Sequence, residues 1–291
     1  MRPIHLLLVL LVVAIWGFNF ITIRLALNES SPFLLNALRF FFASIPAVFF
    51  IKPPAIPFKQ LILYAAVMFM LQFSLLFIGI DIGVPAGVAS LILQVQALFT
   101  LLLAVVFFGE KPTKGQFLGA AIAFAGIGLV GINSEGAMTL AGFIIIIFAA
   151  IAWGSGNLIT KKMGKINMLS LVVWGSFLSW PPLLLVACIV DGPSVVWQNV
   201  QSFSWVAIIS IIYISYFSTV LGFGTWNWLL GRYPLTTIAP FTLSVPVVAM
   251  LSASYLLDEP LYSWKIVAAL LVIGGLCINI LSAARRPANI S

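Results

Sequence analysis

Apolar residues run along this chain in long unbroken blocks, and the polar residues gather between the blocks rather than alternating within them. A helix rises about 1.5 Å per residue, so about 20 apolar residues cross the hydrocarbon of a bilayer. Runs of that size, bounded by charges and turn formers, predict ten helices over residues 4–26, 33–51, 60–80, 84–107, 114–132, 139–160, 168–189, 203–229, 234–257 and 263–283. The interruptions are strong: Glu29-Ser30-Ser31-Pro32, Lys52-Pro53-Pro54, Asn133-Ser134-Glu135-Gly136 and Asp191-Gly192-Pro193 combine polarity with helix-ending residues. The first block follows Met1-Arg2 as a secretory signal would. It runs on without a cleavage pattern and more spans follow, so it reads as a retained helix.

Composition sharpens this picture. Of 291 residues, 63% are hydrophobic and 7% charged, against about 25% charged in a soluble domain. The predicted fold class is an all-α integral membrane protein with ten transmembrane helices, its solvent the lipid bilayer. The net charge of +7 comes from single basic residues scattered between spans, which excludes a nucleic-acid stripe and points to topology. With the N-terminus in the cytoplasm, Arg2, Lys52, Lys59, Lys111, Lys114, Lys161, Lys162, Lys165, Arg232, Arg285 and Arg286 fall inside. Only Arg24 and Lys265 fall outside, and Arg39 lies within a span. Both termini are therefore predicted to be cytoplasmic. Cys188 and Cys277 sit in apolar runs and read as free thiols. His5 is the one histidine, so no catalytic or metal-binding histidine cluster exists.

The chain also repeats itself. Pro85–Gly126 aligns without gaps onto Pro234–Gly275 at a constant offset of 149, pairing Glu110 with Glu259. Near the start of each half, Trp16-Gly17 matches Trp153-Gly154 and Arg24 matches Lys161, at an offset of 137. Residues 1–135 and 136–291 thus form two halves of five spans each. Because five is odd, the second half enters the membrane inverted, the architecture of alternating-access carriers with a site at the repeat interface.

The WGFNF motif at Trp16–Phe20, the triplet Leu38-Arg39-Phe40, and the stretch Pro85–Glu110 with its counterpart ending Leu257-Asp258-Glu259 resemble the EamA-type drug/metabolite transporters. The resemblance covers nearly the whole chain. Pro85–Glu110, with Gly231-Arg232-Tyr233 and Ala239-Pro240, is most similar to O-acetylserine/cysteine exporters within that family. It implies a bacterial inner-membrane exporter of small amino-acid metabolites, with relatives that carry other amino acids or drug-like amphiphiles.

Polar groups inside spans are costly and mark pathways or helix contacts. Arg39, with no Asp or Glu in any span interior, either snorkels to the outer surface or to backbone carbonyls, or faces an aqueous cavity that welcomes a substrate carboxylate. Gln72, Gln94 and Gln96 suit a zwitterion's two charged ends. Gln94 and Gln96, two residues apart, share a helix face only if the helix is irregular there. Asn19 and Asn157 belong to the two first-helix motifs, out of register by one, and are read as pathway groups or helix locks. By family resemblance Trp16, Trp153 and Trp226 line the cavity, whereas Trp197 and Trp205 fit the interfacial belt. Pro246 and Pro240 break the span that holds them, which places it beside protein or water. Gly115, Gly119, Gly126 and Gly128 allow close helix packing. Glu110 and Glu259, at the ends of matched spans, cap turns or pair with Lys111 and Lys265, with gating as a further role.

No phosphate-binding glycine loop is present, so the chain does not hydrolyse ATP. Facilitated diffusion or exchange is the simplest energy source. Proton antiport through Asp81 or Glu110 is the alternative. A membrane enzyme is disfavoured by the lack of a nucleophile or metal constellation. No cofactor and no metal is predicted, and the chain is expected to act as a monomer or weak homodimer.

Overall fold

Capping residues and prolines decide where the helices begin. The computed structural model describes residues 1–133, 138–164, 166–233 and 235–284. Lys165, Pro234, Arg285, Arg286 and the Ser134-Glu135-Gly136 breaker lie outside them. Helix α1 (Pro3–Leu27) starts on a proline, whose missing N–H lacks a helical partner at that position anyway. Helix α2 (Pro32–Ser44) is capped by Ser31, whose hydroxyl accepts from the Leu34 amide at 3.3 Å. It ends where Ile45, ahead of Pro46, is forced extended. Helix α3 (Phe58–Asp81) is continuous but widens into a π-helix over Ala65–Leu71.

The next predicted span is not one rod. It is α4 (Ala86–Leu93) and α5 (Gln96–Phe108), parted at Gln94-Val95. Helix α6 (Lys114–Ile132) opens with a capping box between Thr113 and Gln116. Thr139 caps α7 (Leu140–Met163) and Asn167 caps α8 (Met168–Val190). The short α9 (Pro193–Ser202) fills the longest connection. Ser204 caps α10 (Trp205–Leu230), which carries a second π stretch over Tyr213–Gly222. The predicted span 234–257 is split into α11 (Leu235–Thr242) and α12 (Val245–Leu256), and α13 (Ser263–Ala284) completes the chain.

Among the described residues, nine helical stretches are long and apolar enough to cross a bilayer, and the apolar helix Pro240–Leu256 is shorter. The nine match nine of the predicted spans, and the shorter one falls within 234–257. Large side chains such as Leu7, Phe117, Ile189, Trp205 and Leu270 point outward all round, an exterior that lipid accepts and water rejects.

Inside, α6 packs closely on α13 and α2 on α8. Gly17 lets α1 meet α12 at Val248, where a Cβ would approach a side-chain carbon to 2.6 Å. Gly154 lets α7 meet α5 in the same manner, with the Thr100 amide nitrogen 3.0 Å from a Cβ built there. These two contacts fix α1 and α7 beside the broken helices, and so position the polar groups described next.

Candidate functional site

The two helix breaks meet. Pro246 stands at the start of α12 and has no N–H to give the carbonyl four residues back, which belongs to Thr242. Gln94, at the other break, donates its Nε2 to that carbonyl at 2.8 Å. Within the breaks the backbone falls back on tighter turns. The Gln94 amide donates to Leu91 O and the Val95 amide to Ile92 O, both at 3.2 Å, and the Ser244 amide donates to Phe241 O at 3.0 Å. Proline therefore does more than kink the second span. It opens a joint between two half-helices and leaves a carbonyl that the first span reaches across to.

Beside this joint, Asn157 of α7 donates its Nδ2 to Gln96 Oε1 and to Thr100 Oγ1, both at 3.0 Å. Thr100 in turn donates to the Gln96 carbonyl at 2.8 Å. All three side chains are half-buried. The helix is irregular here and both Gln94 and Gln96 flank the break, but their side chains bond different partners, Thr242 O and Asn157. Trp153 sits one turn before Asn157, half-buried against the core. Thr100 was missed in the sequence, although its place one turn after Gln96 is a visible signal. The result is a neutral seam of amide and hydroxyl groups carrying both donors and acceptors.

Elsewhere, on α1, Trp16 donates its Nε1 to Ser218 O at 3.1 Å, and its ring centroid lies 5.4 Å from those of Trp226 and Phe223. Trp16 and Trp226 thus form one aromatic cluster, while Trp153 stands with the amide seam. Asn19 is buried with Oδ1 unpartnered, and Gln72 is fully buried with neither amide atom bonded.

Arg39 is where the structure departs furthest from expectation. It neither snorkels nor faces an aqueous cavity, being 1% exposed. Its Nε donates to Thr219 Oγ1 at 3.2 Å, and its guanidinium carbon lies 4.0 Å from the centroid of Phe73, with Phe40 and Phe77 at 5.6 and 6.0 Å. A cage of π faces stands where a carboxylate was missing. Nη1 has no hydrogen-bond partner.

The acid pair divides between the two expected roles, capping and ion pairing, but with other partners than Lys111 and Lys265. Glu110 forms its ion pair with Lys161 of α7 rather than with Lys111. Glu259 accepts from the Ala86 amide at 2.7 Å and the Gly87 amide at 3.2 Å, so it caps α4 from a distant part of the chain. Lys265 is no partner of Glu259 within ion-pair distance and donates instead to Pro260 O at 2.8 Å. Asp81 is exposed at the end of α3, next to the Ile80 carbonyl that accepts from Arg24 at 3.2 Å. Gly128 meets nothing within 4 Å and takes no part in close packing, unlike Gly115, Gly119 and Gly126. Among the described residues no group of three His, Cys, Asp or Glu could hold a metal ion.

The sequence profile of the EamA-like transporter family matches residues 3–132 and again residues 140–281. A protein of Salmonella typhimurium named "Probable amino-acid metabolite efflux pump" is 37% identical, covering 98% of this chain and 97% of that protein. A protein of the same name from Escherichia coli K12 is 36% identical, covering 97% and 96%. A "Probable terminal-alkyne amino-acid exporter" of Streptantibioticus cattleyicolor is 26% identical over 71% of this chain and 68% of its own length. A solved crystal structure shares the fold at 17% identity, with a TM-score of 0.66 and coverage of 98% of this chain and 99% of the other.

Proposed function

The chain belongs to the EamA-like transporter family and is a multi-pass bacterial inner-membrane protein, and we propose that it exports small amino-acid metabolites, O-acetylserine and cysteine among them, by alternating access. The observation that carries the substrate class is the full-length likeness to two proteins named for amino-acid metabolite efflux. The local chemistry fits it. A zwitterion needs an acceptor for its ammonium and a donor for its carboxylate, and Gln94, Gln96, Asn157 and Thr100 supply both without the net charge that a phosphorylated substrate would call for. Trp153 lies one turn before Asn157 on α7, and Trp16 and Trp226 form a separate aromatic cluster.

Ten spans arranged as two inverted halves, residues 1–135 and 136–291, with both termini cytoplasmic, are the architecture behind this reading. The breaks at Gln94-Val95 and Leu243-Ser244 stand one repeat apart and support it. So do the π stretches Ala65–Leu71 and Tyr213–Gly222, and the two separate family matches. The excess of Lys and Arg in alternate loops supports the orientation. Broken helices are tolerated at membrane depth where they meet protein or a pathway. Among the described residues no buried carboxylate stands at the seam, which favours facilitated diffusion or exchange, with proton antiport through Asp81 or Glu110 as the alternative. The chain works as a monomer or a weak homodimer.

Purified protein in liposomes preloaded with labelled O-acetylserine or cysteine tests the proposal. Release above protein-free liposomes, lost in Gln94→Ala, is the expected result. Acceleration by an inward proton gradient assigns antiport, and indifference to it assigns facilitation. Release of other amino acids alone moves the substrate, and no release of any amino acid from folded protein overturns the proposal.

A further inference from the structure

Glu110 and Glu259 are presented by the same turn. Gly109 before the first has φ 64°, and Asp258 before the second has φ 53°, both left-handed. The Glu110 amide reaches back to Ala104 O at 3.4 Å, and the Glu259 amide to Ala253 O, its repeat equivalent, at 3.3 Å. Identical presentation is followed by different engagement. Glu259 clasps the amides of Ala86 and Gly87 at the start of α4. Glu110 instead pairs with Lys161, both side chains half out in solvent.

Packing divides in the same way. All eight residues of α4 are buried, and α4 packs closely on α12 and on α1. The repeat equivalents are α11 against α5 and α7. Among the described residues these make no comparable packing, and in α5 only Leu98 and Ala104 are buried. Val88 of α4 is 2% exposed, whereas its equivalent on α11, Thr237, is exposed. One end of the paired broken helices is closely packed and the other is not.

We infer that Glu259 and Glu110 are the two latches of a reciprocal gate, with Arg24 and Lys161 as their release partners. In the state described here Glu259 holds α4 closed and Lys161 keeps Glu110 away from α11. In the opposite state Glu110 docks on the Leu235 and Thr236 amides and closes α11 on α5, while Glu259 lets go of α4 and pairs with Arg24, the repeat equivalent of Lys161. Under the proposed orientation the closed end is periplasmic, so the state described is open to the cytoplasm. This inference rests on the alternating-access reading and adds the groups that switch it.

The test uses full-length protein with Cys188 and Cys277 replaced by serine, carrying a single reporter cysteine at Val88 or at Thr237. Membrane vesicles of defined sidedness are treated with an impermeant maleimide. With no further change, Thr237→Cys labels and Val88→Cys is protected. Glu259→Gln, which removes a charged acceptor from two amides, raises labelling at position 88 by roughly tenfold. Lys161→Ala frees Glu110 to dock, so it raises labelling at 88 and lowers it at 237. Glu110→Gln moves the balance the other way. Should Glu259→Gln fail to fold, Glu259→Asp, which keeps the charge but shortens its reach, carries the same expectation.

Glu110→Gln and Glu259→Gln shifting the reporters in the same direction, or not at all, overturns the gate. Addition of O-acetylserine or cysteine separates the two levels. If substrate shifts the reporters reciprocally while the glutamate variants do not, the gate is wrong and alternating access stands. If neither substrate nor variant moves either reporter, both are wrong.

Discussion

Gly119 and Gly275 meet backbone to backbone where α6 crosses α13. A Cβ added to Gly119 comes within 2.4 Å of the Gly275 carbonyl oxygen, and one added to Gly275 comes within 2.5 Å of the Gly119 carbonyl oxygen. Neither obstacle is a side chain that can swing aside, so the two helices are held at a separation that only glycine permits. Lipid tails are as apolar as leucine, and helices in a bilayer associate through such close contact rather than through expulsion of water.

Gly119→Leu is therefore expected to lower the melting temperature of the detergent-solubilised protein sharply, since overpacking a close contact costs about 1–3 kcal/mol or more. Gly128→Ala, on the same helix with nothing within 4 Å of its added Cβ, leaves it unchanged. Equal effects from the two substitutions would show that α6–α13 contact is not what the glycine protects.

Asn157→Leu separates a transport role from a helix lock. Hydrogen bonds between membrane helices contribute about 0.6 kcal/mol on average, so the variant should stay folded with a small drop in melting temperature. Efflux from loaded liposomes should fall by at least about tenfold, because Gln96 and Thr100 lose the amide that orders them. A fall in efflux no larger than the loss of folded protein would reduce Asn157 to a structural residue.

Arg39→Met is expected to keep or raise the melting temperature. The guanidinium has no carboxylate partner, and Thr219 retains its own bond to the Ile214 carbonyl at 2.8 Å when Arg39 is gone. Replacing a buried charge by an apolar side chain of similar length is commonly neutral or stabilising. Phe73→Leu, by contrast, leaves the charge in place and removes the ring 4.0 Å from it, a cation–π contact of about 2 kcal/mol when desolvated. The order of the two melting temperatures is the measurement.

Glu29 ties the C-terminal end of α1 to the start of α10. It accepts from the Ser204 hydroxyl at 2.6 Å and the Ser204 amide at 2.7 Å, and these bonds hold its carboxyl below the usual value of 4.5. A depressed folded value means that the tie stabilises the protein above pH 4.5 and is lost as pH falls through the lower folded value. Melting temperatures of the parent protein and Glu29→Gln should differ at neutral pH and converge in acid. A gap that persists undiminished however far the pH is lowered would rule out Glu29 ionisation as its source.

Spans were legible in the sequence because a helix that crosses lipid declares itself by local length and polarity. Nine predicted segments reappear as long apolar helices, and Pro246 stands at a break as its missing N–H suggested, although Pro181 and Pro182 lie inside the unbroken α8 and Pro240 inside α11. Resemblance to the transporter family was carried by contiguous motifs, which need no tertiary knowledge either. The break between α4 and α5 has no such signal, for no proline stands at Gln94-Val95.

The side-chain partnerships were decided by tertiary structure alone. Gln94 with Thr242, Asn157 with Gln96, Glu259 with Ala86 and Glu110 with Lys161 all join residues far apart in the chain. In a soluble protein the apolar stripe of each helix would have indicated which face turns inward. Here lipid-facing and core-facing positions are equally apolar, so the pattern fixes where a helix lies and not how it is rotated. Arg39 is the clearest case: the sequence shows a charge without an acid, and only the packing of α2 against α3 and α10 supplies the phenylalanine rings and the Thr219 hydroxyl that receive it.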